Sequence, residues 1–181
     1  MGEYKSGLVT KNKILDVCKP LFYRNGIEKT TYNMICDSAE INRGLLPYHF
    51  SSKDNIAYII YEDFLNAFER WMNESIRNSN VAYVFAASSF VFFRFIFSDR
   101  CFMRFYWQLK DSAKLYKEMI AIQYHTIKRI SSECNKPISE ESINTLSCMY
   151  YGLERELLRN TYNGFITEGV DTIATKDLLF V

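Results

Sequence analysis

Apolar residues recur at spacings of three and four along most of the chain, and no stretch keeps the two-residue alternation of a half-buried strand. The segment from Thr10 to Asn25 places its apolar side chains on one helical face. Gly26 follows, a residue suited to the left-handed end of a helix. Because only seven glycines and three prolines interrupt the pattern, the sequence predicts an all-α fold.

Two short helices are predicted directly after the first. Hydroxyl caps at Thr30 and Thr31 open a helix that closes at Glu40, and Asn42 caps a further helix that ends near Phe50. An amphipathic helix followed by two short helices joined by a tight turn is the arrangement in which the last short helix enters the DNA major groove. This pattern predicts an N-terminal, three-helix helix-turn-helix DNA-binding domain.

The rest of the chain reads as a second helical domain. Ser51 and Asp54 form a capping-box pattern before a long fourth helix that runs to about Arg77. The further segments with helical period are 81–97, 100–109, 112–134, a helix opened by Pro137 and Ser139, and a short last helix over 171–180. We therefore expect a DNA-binding domain over residues 1–55 and a C-terminal domain over 56–181, linked by helix four from about residue 52.

Composition narrows the classes of function. A formal net charge of +1 creates no overall basic field, so any DNA contact must come from a local patch. The five cysteines contain no C-x-x-C pair, which predicts neither a disulfide framework nor a metal site and favours the reducing cytoplasm. The most apolar segment, Val81 to Phe97, contains Arg94 and falls short of the about 18 apolar residues of a membrane span. We expect a buried helix there and no membrane contact.

An enzyme is not expected. The chain has only two histidines, no Ser-His-Asp order, no H-x-x-x-H spacing and no glycine-rich phosphate loop. We therefore predict no catalytic residues and no cofactor.

The segment NKILDVCKPLFYRNGIEKTTYNMICDSAEINRGLLPYHFSSKDNI, residues 12–56, resembles the N-terminal signature of the tetracycline-repressor (TetR) family. The rest of the chain is similar to that family only in length and helical layout. The matching positions, in order, are Ile14, Leu15, Leu21, Phe22, Gly26, Thr30, Thr31, Ile35, Ala39, Ile41, Asn42, Gly44, Tyr48, His49, Phe50, Ser52 and Lys53.

The resemblance implies roles on double-stranded DNA for five of these residues and three of their neighbours. It implies that phosphates are held by Thr31, Tyr48, His49 and Lys53. It implies that base edges are faced by Asn33, Arg43, Gly44 and Leu45. The chemistry agrees in kind, because hydroxyl, imidazole and ammonium groups suit phosphate oxygens, arginine suits guanine and leucine can pack on a thymine methyl. Gly44 would let the backbone approach DNA closely.

Three residues depart from the family pattern. Pro47 stands where the family usually has an aromatic residue, and inside a helix it removes a hydrogen bond. Glu40 stands at a turn position that commonly holds glycine, so a positive φ there would cost on the order of 1 kcal/mol. Pro20 interrupts helix one on its solvent side. We expect the reading helix to kink or to stop early.

The resemblance also implies a C-terminal pocket for a small hydrophobic or aromatic effector. Aromatic residues at helical spacing form protein cores more often than ligand pockets, so each candidate also has a structural interpretation. Polar side chains inside this lobe, Arg104 and His125 among them, would need partners. The candidate effector-binding residues are Phe93, Arg94, Phe97, Phe105, Trp107, Gln108, Tyr124 and Tyr151.

Residues 143–162 carry apolar side chains around more than half of their helix, which is more than one core-facing stripe requires. Gly152 allows close helix approach, and the apolar end at Leu178 to Val181 adds to this surface. We therefore expect a homodimer, as the resemblance also implies, since two reading helices related by a two-fold axis read a palindrome. The candidate interface residues are Met149, Tyr150, Leu153, Leu157 and Leu158.

Together these expectations describe a ligand-responsive regulator, most naturally a repressor. It would bind a palindromic operator as a homodimer in the cytoplasm and leave it when a small hydrophobic effector binds. The alternative is a dimeric interaction or architectural protein of the same fold that lacks ligand sensing or DNA binding.

Overall fold

The structure, a computed structural model, describes residues 2–77, 79–167 and 169. Within these residues the chain forms eight helices and no strand, which confirms the predicted all-α fold. The predicted last helix over 171–180 and the apolar end at 178–181 lie outside the described residues. The helices are α1 (Gly2–Lys29), α2 (Tyr32–Ala39), α3 (Leu45–His49), α4 (Lys53–Ser75), α5 (Val81–Ser98), α6 (Arg100–Asp111), α7 (Tyr116–Glu133) and α8 (Glu140–Tyr162).

The chain divides into two compact units, Met1–Leu65 and Asn66–Val181, so the division falls within α4. The predicted boundary at residue 55 lies earlier on the same helix. The difference arises because Ile56, Ala57 and Tyr61 of α4 are buried and belong to the first unit.

The core of the first unit is built mainly from one face of α1. Ile14, Cys18 and Phe22 follow one another at four-residue spacing and are fully or almost fully buried. Burying a side chain as large as Phe22 contributes about 1.5 to 3 kcal/mol, so this face holds the short helices in place. The residues that complete this core are Leu15, Ile27, Ile35, Cys36, Ala39, Leu46, Phe50, Ile56, Ala57 and Tyr61.

Helix α1 is longer than predicted and tolerates its proline. It continues through Pro20, which is exposed, and the predicted interruption there is wrong. Helical geometry breaks instead at Gly26, where φ is 81° and ψ is 165°. Glycine adopts this conformation without steric cost, so the sequence predicts correctly where the first long helix ends.

The second unit contains α5 to α8 and an aromatic core. Phe92 meets Phe93 and Tyr106 edge to face, with ring centroids 5.7 Å and 5.5 Å apart. Such pairs are favourable because the positive edge of one ring meets the negative face of the next. Among the described residues no helix is both long and apolar enough to cross a membrane.

Two helix starts differ from prediction because of local hydrogen bonds. At α4 the cap is Ser52, whose Oγ accepts from the Asn55 amide at 3.1 Å, so the predicted capping box from Ser51 is wrong. At α7 the helix begins at Tyr116, because the amides of Ser112 and Leu115 bond backward in turns. Ser139 caps α8 as predicted, accepting from the Ser142 amide at 3.1 Å.

Candidate nucleic-acid interface and helical core

A hydroxyl cap and a left-handed turn define the first short helix. Thr31 caps α2, its Oγ1 accepting from the Met34 amide at 3.2 Å. At the other end Glu40 adopts φ 49° and ψ 46°, and the amides of Glu40 and Ile41 bond to the carbonyls of Asp37 and Cys36. This hydrogen-bond pair is the Schellman motif, which normally places glycine at the left-handed residue. Glu40 therefore has the positive φ that would be costly for a residue with a side chain at this turn position.

Helix α3 begins after Gly44 and is only five residues long. No side chain caps it, so the predicted cap at Asn42 is wrong. Pro47 lies in the first turn, where backbone amides have no partner within the helix, and its missing N–H therefore removes little. The helix ends at His49, and the amide of the following residue, Phe50, donates to the Leu46 carbonyl at 2.9 Å. The reading helix is thus short without being interrupted by the proline.

The turn and α3 present several of the predicted DNA-binding side chains to solvent. Arg43 and Asn33 are exposed, Leu45 is 39% exposed and Tyr48 is 80% exposed. Gly44 has an ordinary helical φ of −65°, and a Cβ added there would meet nothing within 4 Å. Neither backbone conformation nor internal packing therefore requires glycine at this position.

His49 and Lys53 are placed differently from these exposed residues. His49 is half-buried, with its ring carbon Cε1 3.8 Å from the position that a Cβ on Gly7 would occupy. The Lys53 ammonium donates to the backbone oxygens of Ile27, Glu28 and Thr30 at 2.9, 3.1 and 2.6 Å. Its hydrogens are thus directed at backbone oxygens at the end of α1.

The predicted effector-binding residues are scattered over the second unit. Phe93, Phe105 and Tyr151 are buried, and Phe97 stacks on Phe93 at 6.0 Å between ring centroids. Arg94 is exposed, which conflicts with its predicted position inside the lobe. Three aromatic candidates thus lie inside the unit. The guanidinium of Arg94 lies at the surface instead, where water can hydrate its charge.

Tyr124 also points to the surface. Its hydroxyl donates to Glu140, and Lys128 donates to the same hydroxyl at 3.1 Å. The Tyr124 hydrogen bond, together with the Lys128 charge, lowers the pKa of Glu140. The same hydroxyl and the Glu140 charge raise the pKa of Lys128. Tyr124 is therefore part of a surface cluster that joins α7 to α8.

A buried ionic network in α6, α7 and α8 was not expected from the sequence. Glu154 accepts hydrogen bonds from Lys110, from the Tyr106 hydroxyl and, at 3.2 Å, from the Gln123 amide. The Tyr151 hydroxyl donates to the Lys110 carbonyl, and the Lys110 ammonium lies 4.7 Å from the Tyr151 ring centroid. Burial raises the pKa of Tyr151, which keeps its hydroxyl protonated as a donor.

The sequence does contain a signal for this network. Glu154 lies at three- and four-residue spacing from Tyr151 and Leu158, both buried, so it occupies a core register of α8. Lys110 follows Tyr106 by one turn on α6. Two opposite charges in core registers of neighbouring helices indicate a buried pair, whereas the polar residues expected inside include Arg94 and His125, which are exposed.

Trp107 and Gln108 lie partly buried on α6. The Trp107 ring stacks on Tyr162 of α8 with centroids 5.2 Å apart. Among the described residues, Trp107 Nε1 and Thr161 Oγ1 are buried without a hydrogen-bond partner. Thr126 shows the usual alternative, since its hydroxyl bonds to the carbonyl four residues earlier. These two atoms, one on the stacked Trp107 and one on the residue before the stacked Tyr162, are exceptions to the usual pairing of buried polar groups.

The predicted dimer residues do not share one environment. Met149 is 64% exposed, and Tyr150, Leu153 and Leu157 are partly exposed along the same side of α8. Leu158 is fully buried within its own unit, so its predicted place in a dimer interface is wrong. A Cβ added to Gly152 would meet nothing within 4 Å of this chain.

Comparison with known proteins decides the family. The model of the family described as "Bacterial regulatory proteins, tetR family" matches residues 14–57. The chain is 30% identical over 133 residues to the biofilm operon icaADBC HTH-type negative transcriptional regulator IcaR of Staphylococcus aureus (strain Newman), covering 72% of this chain and 68% of that protein. The chain belongs to the TetR family. It is a transcriptional regulator of that family and not an enzyme, as the sequence predicts.

Other known proteins match over a shorter stretch or in fold alone. The HTH-type transcriptional regulator QacR of Staphylococcus aureus (strain Mu50 / ATCC 700699) is 38% identical over 72 residues, which span only 36% of that protein. SmeT, the repressor of the Stenotrophomonas maltophilia multidrug efflux pump SmeDEF, superposes with a TM-score of 0.65 at 16% identity, covering 93% of this chain and 86% of SmeT. FadR from Bacillus subtilis in complex with stearoyl-CoA superposes with a TM-score of 0.62 at 14% identity, covering 93% and 96%.

Proposed function

We propose that this TetR-family regulator is a homodimeric repressor that binds a palindromic operator in the cytoplasm and is released by a small hydrophobic effector. The observation that supports this most is the outward presentation of Arg43, Leu45 and Tyr48 from the turn and α3. These exposed side chains contribute little to the packing of the core of their own unit, and their chemistry suits base edges and phosphates.

Each exposed residue has a distinct role in this proposal. Arg43 donates in a bidentate manner to a guanine, and Leu45 packs on a thymine methyl. Thr31 and Tyr48 donate hydroxyl protons to phosphates, and Thr31 can do so while it caps α2, because its oxygen accepts there. Gly44 and Asn33 border the base edges, and His49 reaches a phosphate from its half-buried place beside α1.

Homodimerisation uses the exposed side of α8. Leu146 and Met149 are 40% and 64% exposed, and the partly exposed Tyr150, Leu153 and Leu157 continue the stripe at helical spacing. The open space at Gly152 lets a second helix approach closely. Met149→Glu should therefore give monomers in sedimentation velocity, whereas Arg94→Glu, a charge change at an exposed site on α5, should leave the dimer intact.

The effector is proposed to bind in the second unit, beside the buried rings of Phe93 and Phe105 and the partly buried ring of Phe97. Trp107 supports this most directly, because its buried Nε1 lacks an acceptor among the described residues. The chemistry of a lone indole N–H calls for an apolar molecule that carries a hydrogen-bond acceptor. The solved relative FadR, which holds stearoyl-CoA, is an example of the same fold with such a ligand.

The effector proposal can be tested with two named probes, stearoyl-CoA and decanoate, the latter a short apolar acid. A probe that binds the folded protein should raise its unfolding temperature. It should also lower operator affinity if it binds the DNA-free conformation more tightly than the DNA-bound one. The Trp107→Phe variant keeps the stack but loses the donor, and should bind at least fivefold more weakly. Saturation without any change in operator affinity would contradict release by the effector.

The experiment that tests operator binding is selection from random duplexes at low salt. We expect enrichment of a sequence with two-fold symmetry, and we expect Arg43→Ala to lose preference for one base pair in each half-site. If no sequence is enriched over the starting pool, the chain is instead an interaction or architectural protein of this fold.

A further inference from the structure

We propose that Lys53 is a positioning residue for the DNA-reading element and that it acts by clamping the end of α1 instead of binding a phosphate. The inference rests on the proposed operator binding for its functional part. Its structural part depends only on contacts within the first unit, Met1–Leu65.

The Lys53 ammonium is fully used by backbone oxygens. It donates to Ile27 at 2.9 Å, to Glu28 at 3.1 Å and to Thr30 at 2.6 Å. An ammonium group carries three hydrogens, and three carbonyls accept them. Binding a DNA phosphate would require Lys53 to give up at least one of these bonds.

The three carbonyls need such a donor. Gly26 breaks the helical geometry of α1 with φ 81°, so the carbonyls that follow lie at a helix end, where no later amide of the helix reaches them. A cation at this position also interacts favourably with the negative end of the helix dipole. The bonds to Ile27 and Thr30 are partly buried, so losing Lys53 would leave carbonyls that water reaches poorly.

The clamp acts on DNA recognition through Thr31. Thr30 is fully buried, and its Oγ1 donates to the Gly26 carbonyl at 2.7 Å, while its own carbonyl is held by Lys53. The next residue, Thr31, caps α2 and is exposed. Lys53 therefore fixes the backbone from which the Thr31 hydroxyl and the start of α2 are presented.

The salt dependence of operator binding separates the two roles. The plot of log Kobs against log salt concentration has a negative slope, and each lost phosphate contact makes it less steep by about 0.9, which is about 1.8 for the two Lys53 residues of a dimer. We expect Lys53→Met to weaken operator binding at least tenfold with an unchanged slope. A slope that is less steep by about 1.8, or an unchanged affinity, would overturn the proposal.

Three further comparisons distinguish the two roles of Lys53. Lys29→Met is the matched control, because Lys29 is an exposed lysine in the last turn of α1. Lys53→Arg keeps donors and charge and should regain part of the affinity lost in Lys53→Met. In a double-mutant cycle, Thr31→Val should cost less operator affinity in the Lys53→Met background than in the wild type. Additive effects would mean that Lys53 does not act through Thr31.

Hydrogen exchange tests the clamp even if no operator is found. The Thr30 amide bonds to the Gly26 carbonyl at 3.3 Å. Its exchange should be at least tenfold faster in Lys53→Met than in the wild type and unchanged in Lys29→Met. Equal rates in all three proteins would refute the clamp, whereas a failed operator selection would refute only the proposed function.

Discussion

Lys110 of α6 and Glu154 of α8 form an ion pair in which each side chain is only 1% exposed. Tyr106 and Gln123 add hydrogen bonds to the same carboxylate, so its lone pairs are well occupied. The Lys110 ammonium also faces the rings of Tyr106 and Tyr151 at 5.4 Å and 4.7 Å. We expect this network to favour one arrangement of α6, α7 and α8, because a packing that separated the pair would leave a buried charge without its partner.

Removing one member of this pair should be strongly destabilising. Lys110→Met leaves the Glu154 carboxylate buried without its cation, and we expect a loss of about 3 to 5 kcal/mol in the free energy of unfolding. The double variant Lys110→Met, Glu154→Leu should be less destabilised than the sum of the single variants, with a coupling of at least about 1 kcal/mol. Urea unfolding of the four proteins measures both quantities, and additive losses would show that the two residues do not interact.

Replacing Glu40 by glycine should raise the free energy of unfolding of the protein. Its φ of 49° costs a side-chain-bearing residue about 1 kcal/mol, a cost that glycine does not have. The exposed ion pair with Lys13 at 3.2 Å contributes less, about 0.2 to 1 kcal/mol. Glu40→Ala is the control, because it removes the same ion pair but keeps Cβ. We expect Glu40→Gly to be more stable than Glu40→Ala by about 1 kcal/mol, and equal stabilities would contradict a left-handed residue here.

Gly44 provides a test of close approach to DNA. A Cβ there meets nothing within 4 Å, and φ is −65°, so Gly44→Ala should change the free energy of unfolding by no more than about 0.5 kcal/mol. If the backbone at this point contacts a base edge, the added methyl should lower operator affinity at least tenfold. Fluorescence anisotropy with the selected duplex measures this change. Undiminished affinity would remove Gly44 from the interface.

The cysteines should differ sharply in reactivity. Burial, and to a lesser extent the neighbouring Cys36, raises the pKa of the Cys18 thiol to about 12. At pH 8 only about one Cys18 thiol in ten thousand is then a thiolate, the form that reacts with alkylating agents. Cys148 is exposed and should be alkylated first, as peptide mapping after a short iodoacetamide pulse would show. Modification of Cys18 as fast as Cys148 in the folded protein would contradict the burial of α1.

The sequence predicts the helix-turn-helix element well because local chemistry determines it. Gly26 ends the first long helix, Thr31 caps the second, and Glu40 takes the left-handed conformation that its position in the turn requires. Each of these features depends on the backbone preferences of a few adjacent residues. The same reasoning places Ser139 correctly at the start of α8.

The sequence predicts individual side-chain roles less well, because they depend on contacts between distant segments. Lys53 donates to carbonyls more than twenty positions earlier in the chain, and the residues next to it in sequence do not indicate these partners. Leu158 cannot be distinguished from Leu157 by composition, yet it faces the core while its neighbour is partly exposed. Arg94 lies in a strongly apolar helix but is exposed, since one face of that helix meets solvent.

The central claim is that two copies of this chain read a two-fold symmetric site with residues 31 to 50. Footprinting on the selected duplex tests it most directly. We expect two protected half-sites related by a two-fold axis and one or more helical turns apart, bound by two protein chains, with protection lost in Tyr48→Phe combined with Arg43→Ala. Protection of a single half-site by one chain, or identical footprints for the wild type and the double variant, would contradict the account.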